Sequence, residues 1–171
     1  MPGTGFRNLL SNCLNMNLLI HIAIVLSAFF GMEGVAWLTH KYVMHGIFWP
    51  LHRDHHLKEH YGFLERNDLF FLIFALPGIT CLAAGTFYHL PVWTCIGTGI
   101  TLYGACYFFV HDLFIHQRIK VLRNSENRYL KAIRRAHKMH HKHTGKYDGE
   151  SFGMLWVSWK YFRNTSKNNP A

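Results

Sequence analysis

The sequence predicts an all-α fold: an integral membrane helical bundle of about three transmembrane helices, with a fourth short or re-entrant helix as an option, and a histidine-rich cap on the cytoplasmic side. Three observations carry that expectation. Half of the 171 residues are hydrophobic, and they gather in long blocks. The cations are confined almost wholly to one side of those blocks. Ten of the 14 histidines cluster at or just beyond the same ends. A chain of this length is expected to form one domain, residues 1–171.

The first apolar run extends from Leu18 to Leu38, the second from Leu69 to Phe87 and the third from Val92 to Val110. Each is near the ~20 residues needed to cross roughly 30 Å of hydrocarbon. As soluble core helices, three such runs would leave too little polar surface for so short a chain. The first run lacks a small-residue cleavage site, is too long for a signal-peptide core and leads straight into a histidine motif, so it is read as a span. Pro77–Gly78 is expected to kink the second span. Gly97, Gly99, Gly104 and Ala105 in the third permit close helix approach, or shape a groove for a lipid-like substrate.

Tyr88–His89–Leu90–Pro91 joins the second and third spans without a cation. Of the 18 Lys and Arg, only Arg7 shares that side; the other 17 fall between Lys41 and Arg66 or from Arg118 onward. The positive-inside rule then puts the N-terminus outside and the C-terminus in the cytoplasm. The run "SFGMLWVSWKYF", starting at Ser151, is too short to cross. Its Trp156, Trp159, Lys160 and Tyr161 suit a helix or loop at the membrane interface. The net charge of +9 lacks the aromatic-interleaved basic stripe of a nucleic-acid binder, so no nucleic-acid partner is expected. Cys13, Cys81, Cys95 and Cys106 form no CxxC pair, which argues against a zinc knuckle, an iron–sulfur centre or a disulfide framework.

Histidine carries the chemistry. "HKYVMH" contains His40 and His45, "HRDHH" contains His52, His55 and His56, "HDLFIH" contains His111 and His116, and "HKMHH" contains His137, His140 and His141. The order is HxxxxH then HxxHH, stated twice. In HxxHH the i, i+3 and i+4 residues share a helix face, so three imidazoles are expected to point at one place. In HxxxxH the pair is roughly 140° apart at 3.6 residues per turn. Either the helix ends or bulges between them, or the two serve different metals. Ten imidazoles exceed what one metal accepts, so a dinuclear site is expected. Neutral imidazole suits Zn, Cu, Fe and Ni. With no thiolate in the set and no carboxylate in the motifs' repeated positions, two irons with open positions for oxygen fit better than structural zinc. His21, His60, His89 and His143 are read as ordinary polar residues. Metal-bound imidazoles usually donate their other N–H to a carboxylate or carbonyl. Glu33, seven residues before His40, and Asp112, next to His111, are the candidates for that role, with Asp54 and Asp148 behind them. Arg134, Arg135, Lys138 and Lys142 suit anionic membrane lipid.

The stretches "GMEGVAWLTHKYVMHG", "NDLFFLIFALPG", "YGACYFFVHDLFIHQR" and "AHKMHHKHTGKYDGESFGML" resemble the bacterial β-carotene 3-hydroxylases of the membrane fatty acid hydroxylase/sterol desaturase superfamily. The resemblance covers about Gly31 to Leu155. It departs at the two charged residues inside "HRDHH", Arg53 and Asp54. It implies a non-haem di-iron monooxygenase in a bacterial inner membrane, with the ten clustered histidines as iron ligands and no separate catalytic residue. It also implies O2 as co-substrate, a carotenoid taken from the bilayer and hydroxylated at C3 of its β-ionone rings, and electrons from reduced ferredoxin or a similar donor. The neighbouring expectations are a sterol, fatty-acid or other lipid hydroxylase or desaturase and, from another class, a metal transporter or cytochrome-b-like protein, whose ligands would lie deep within the spans.

Overall fold

A computed structural model describes residues 4–57, 64–119 and 124–163, with side chains from Met16 onward. His60 and the Cys13 side chain lie outside the described residues. Helix α1 spans Thr4–Leu38 and continues as a π-helical segment, Thr39–Ile47, broken at Gly46 (φ −99°, ψ −115°). Helix α2, Trp49–His56, starts with a proline in its first turn, where the missing N–H has no intrahelical partner to lose. A 3-10 turn at Arg66–Asp68 leads into α3, Leu69–Phe87. Helix α4, Pro91–Tyr107, again begins on proline and passes into a second π-helical segment, Phe108–Ile115. Helix α5, Arg128–Lys142, is capped by the Asn127 side chain, which accepts from the N–H groups of Tyr129 and Leu130. A 3-10 turn at Trp159–Phe162 ends the described chain. There is no strand among the described residues.

Three helical stretches are long and apolar enough to cross a membrane: Met16–Ile47, Arg66–Phe87 and Pro91–Ile115. They match the expected number of three, and each runs past the bounds expected for it. The first and third spans do not stop at residues 38 and 110. Each continues as a π-helical segment, the first carrying His40 and His45, the other carrying His111 and capped by His116. Leu18, Leu19, Phe30, Leu72, Leu76 and Ile79 are exposed, an apolar outer surface that lipid would cover. The first helix also begins well before the expected Leu18, at Thr4.

The small residues of α4 divide into two kinds. A Cβ on Gly97 would come within 2.7 Å of the Leu82 backbone N, and one on Gly99 within 2.6 Å of the Ala28 Cβ. These glycines let α3 and α1 approach α4 at backbone distance. A Cβ on Gly104 would meet nothing within 4 Å, because Gly104 faces a cavity. Pro77 lies inside α3, which continues as helix on both sides of it.

The optional fourth helix is not found among the described residues, and the alternative of a loop at this place is the one adopted. Residues 151–158 form irregular chain with a bend at residues 154–155, and among the described residues a single 3-10 turn follows. The segment is fastened at Met154 and Tyr161, which are buried against Ile133 and Val110 and against Ala132 and Ala136 respectively. Trp156 and Trp159 stand out at 85% and 69% exposure, as an interfacial segment requires. Helix α5 buries Ala132, Ile133, Ala136, His137 and His140 on one face and so is amphipathic over the cap.

Candidate metal centre

The π-helical segments resolve the HxxxxH geometry. Hydrogen bonds from i to i+5 place residues five apart one above the other. The N–H of His116 donates to the carbonyl of His111 at 2.9 Å. The paired rings then lie side by side, with centroids 5.2 Å apart for His40 and His45 and 4.5 Å apart for His111 and His116. The bulge, one of the two expected arrangements, is the one adopted.

The HxxHH motif behaves differently from expectation. Its three imidazoles do not share one focus. His52 and His56 join His40, His45 and His140 in one group, whose nearest ring nitrogens all lie within 4.8 Å of one another. His55 joins His111, His116 and His137 in a second group of the same kind. In α5 the split recurs: His140 serves the first group, while His141 approaches His137 in the second, Nε2 to Nε2 at 2.8 Å. The reason is angular. At 3.6 residues per turn, i and i+4 differ by roughly 40°, whereas i+3 falls roughly 100° from i+4. Helices α2 and α5 therefore each present ligand atoms to both groups. All ten clustered histidines are brought together. His21 and His89 lie elsewhere on the spans and their link. His143 contributes its carbonyl, which accepts from His56 Nδ1 at 3.1 Å.

In the first group every Nδ1 is committed. His40 donates to the carbonyl of Phe152 at 2.9 Å, His45 to Lys146 at 3.1 Å and His140 to Glu150 at 2.8 Å. His56 donates to His143 as above, and His52 donates to the Asn67 side-chain oxygen at 2.7 Å. A carbonyl only accepts, so each Nδ1 carries the proton and each Nε2 presents a lone pair. Yet the Nε2 atoms face one another, at 3.1 Å for His40 and His52, 3.2 Å for His52 and His56, and 3.3 Å for His45 and His140. Lone pairs converging in a buried space without a donor are what a cation would satisfy. Burial is the main force that lowers His52, His56 and His140 to about 3 and His141 to about 2, so at neutral pH these rings are uncharged and ready to ligate.

The second group is backed by carboxylates. His55 Nδ1 donates to Glu65 Oε2 at 2.7 Å, and His111 Nδ1 to Asp112 Oδ2 at 3.3 Å. Arg118 ties these acids together: it grips Asp68 with two bonds of 2.6 and 3.0 Å, reaches Asp112 at 3.1 Å and lies 3.6 Å from Glu65. Asp54, one of the charged residues inside "HRDHH", is buried and accepts from the Arg66 backbone N–H at 2.6 Å. That bond pins the turn that delivers Glu65 and Asn67.

Of the expected acid partners, Asp112 contacts its histidine. Glu33 bonds to no histidine among the described residues: its two oxygens accept from Tyr103, Met154, Leu155 and Trp156. Asp148 lies exposed on the loop, in the left-handed region (φ 66°). Glu65, Asn67, Asp68 and Arg118 escaped the sequence reading. The available signal was the charged pair in "HRDHH" and the dense "ERND" that follows. The described cysteines, Cys81, Cys95 and Cys106, are free and half-buried, and none belongs to either group.

An apolar cavity of about 390 Å³ opens beside the second group between α1, α3 and α4. Its walls include Ala36, Phe71, Ile79, Tyr103 and Gly104, and its inner end is formed by Asn67, His111 and Asp112. From Asn67 to Ile79 is twelve residues, ~18 Å along a helix axis.

These features define a class: an all-helical protein with membrane-spanning helices gathered under a buried polyhistidine cluster able to bind metal. Residues 25–165 match the model of the fatty acid hydroxylase family. The beta-carotene hydroxylase of Pseudescherichia vulneris is 40% identical over 82% of this chain and 78% of its own length. That of Pantoea ananas is 42% identical over 78% of this chain and 75% of its own. The chloroplastic beta-carotene 3-hydroxylase 1 of Arabidopsis thaliana is 36% identical over 78% of this chain but 43% of its own length. The chain belongs to the fatty acid hydroxylase family and, within it, to the bacterial β-carotene hydroxylases. No solved structure matches it.

Proposed function

We propose that the protein is a membrane di-iron monooxygenase that hydroxylates C3 of the β-ionone rings of carotenoids, converting β-carotene to β-cryptoxanthin and then zeaxanthin. The observation that carries this reading is the pair of imidazole groups, one with five lone pairs turned inward, beside an apolar cavity that His111 helps to line. The balance is one ring C–H, O2, two electrons and two protons giving one C–OH and one water. Iron in the two histidine groups would supply the oxygen activation that an unactivated C–H bond requires. The ten histidines would hold the metals through ring nitrogens. The carbonyls of the 143–152 loop, with the Asn67 side chain for His52, fix the first group's tautomers. Glu65 and Asp112 do the same for His55 and His111. Phe71, Tyr103 and Gly104 bound the space for a ring, and the remaining polyene extends toward lipid. No flavin, haem or iron–sulfur motif occurs, so the electrons come from a separate carrier, ferredoxin or a similar protein. The cations from Lys41 to Arg66 and beyond Arg118 support a cytoplasmic cap under the positive-inside rule, and the reading sets it at a bacterial inner membrane. They would attract an acidic carrier.

Production of the protein in a host that accumulates β-carotene, followed by pigment analysis, tests the reading. Zeaxanthin with some β-cryptoxanthin is expected. Neither pigment, despite confirmed protein and iron loading, sinks the carotenoid assignment and returns a sterol or fatty-acid substrate to first place.

Gly104 gives a finer test of where the ring sits. Gly104→Leu places four carbons in the cavity at a position with open space, and leucine is also the better helix former by about 0.5–1 kcal/mol. The variant is expected to accumulate at the wild-type level while ring hydroxylation falls ~10–200-fold, the range for a pocket that rejects added bulk. Gly99→Leu, against Val25 and Ala28, is expected to lower the amount of folded protein instead. Unchanged turnover in folded Gly104→Leu would move the ring out of this cavity.

A further inference from the structure

Glu33 is a buried carboxylate within the first span, 6% exposed, and the histidine groups do not use it directly. An ionisable group at that depth demands a full set of partners. It has four. Oε1 accepts from three successive backbone N–H groups, Met154 and Leu155 at 2.8 Å and Trp156 at 2.9 Å. Oε2 accepts from the Tyr103 hydroxyl at 2.7 Å, on the cavity wall. Three consecutive N–H groups curled round one oxygen form an anion-binding nest. The approach is close enough that a Cβ on Gly153 would come within 2.8 Å of the same Oε1.

The chain held in this way is the one whose carbonyls orient the first histidine group. Phe152, two residues before the nest, accepts from His40, and Glu150 accepts from His140. Between them Ser151 is held in the left-handed region at φ 61°, which turns the two carbonyls to their separate targets. Glu150 is anchored on the other side, where its Oε1 accepts from Tyr161 at 2.7 Å and its Oε2 pairs with Lys160. No corresponding bond runs from Glu33 or this loop to His55, His111, His116 or His137 among the described contacts. The clamp is therefore one-sided.

We propose that Glu33 is a positioning residue for the first metal alone: by fastening residues 154–156 to α1 it holds the Phe152 and Glu150 carbonyls that aim His40 and His140. The inference rests on the reading of both histidine groups as metal ligands. It is tested on detergent-solubilised, anaerobically Fe(II)-loaded full-length protein by following iron release to a ferrous chelator. Glu33→Gln keeps the shape but removes the charge that strengthens the three N–H bonds. The expected result is a selective one: about half of the bound iron leaves ~10-fold faster, within the range for loss of an outer partner, and the other half keeps the wild-type rate. Gly153→Ala, which pushes the loop off Oε1, is expected to give the same split and serves where Glu33→Gln does not insert. Release that stays at the wild-type rate, or that accelerates equally for all the iron, overturns the proposal while leaving the metal reading intact. Wild-type protein that binds no iron overturns the metal reading itself, and this proposal with it.

Discussion

His137→Ala is expected to remove hydroxylation while leaving the protein in the membrane. His137 is buried at 5% exposure, and its Nε2 lies 2.9 Å from that of His116 and 2.8 Å from that of His141. It thus joins the histidines of α5 to His116, at the end of the second π-helical segment. Loss of an outer partner alone lowers metal affinity or activity ~10–100-fold, so loss of the ring itself is expected to exceed ~100-fold. Insertion is governed elsewhere, by the three spans, none of which includes α5. Helix α5 keeps its other attachments, Ala132 and Ala136 against Tyr161 and Ile133 against Met154. The measurements are pigment yield, protein in the membrane fraction and iron per chain. Near-normal pigment from the variant would take His137 out of the ligand set, and loss of the protein from the membrane would make α5 a folding element instead.

The gathering of ten histidines was legible because residue type and spacing both report it. Their division into two groups was not. The i, i+3, i+4 pattern says that three rings share a face, but the roughly 100° between i+3 and i+4 is enough to send His55 and His56 to different foci once two foci exist. The HxxxxH spacing posed its own question, since a regular helix cannot align i and i+5, and the π-helical segments answer it. Glu33 shows a limit of periodicity. Seven residues keep it on the face of His40 but two turns away, ~10.5 Å along the axis, beyond hydrogen-bond reach. Four of the five Nδ1 partners in the first group are backbone carbonyls, of His143, Lys146, Glu150 and Phe152, and a carbonyl leaves no mark in the amino-acid letters. Gly99 and Gly104 illustrate the same point for packing: identical residues five apart on α4, one against α1 and the other open to the cavity. Only the neighbour distinguishes them.

Glu65→Ala is expected to weaken the second group as sharply as the Glu33 variants weaken the first. Glu65 accepts the His55 Nδ1 proton at 2.7 Å, and His55 is buried, so truncation leaves an N–H with no acceptor away from water. The imidazole would then turn, taking Nε2 away from His111, now 3.1 Å distant, or change tautomer, which puts the proton on Nε2 where the lone pair is needed. Arg118 adds to the effect. It bridges Asp68 and Asp112 and stands 3.6 Å from Glu65, so removing one acid unbalances a charge network that also backs His111. Burial raises the Glu65 carboxyl above its usual range, with Arg118 as the main opposing influence. A ~10–100-fold loss of iron affinity is expected, confined to half of the bound metal. Glu65→Gln keeps an acceptor oxygen and should fall between wild type and Glu65→Ala. The two halves of the site are thus separable by outer partners: neutral carbonyls hold the first, carboxylates and one arginine the second. A Glu65→Ala protein that loses both irons together would mean that the two groups share their ligands more closely than their Nδ1 partners indicate.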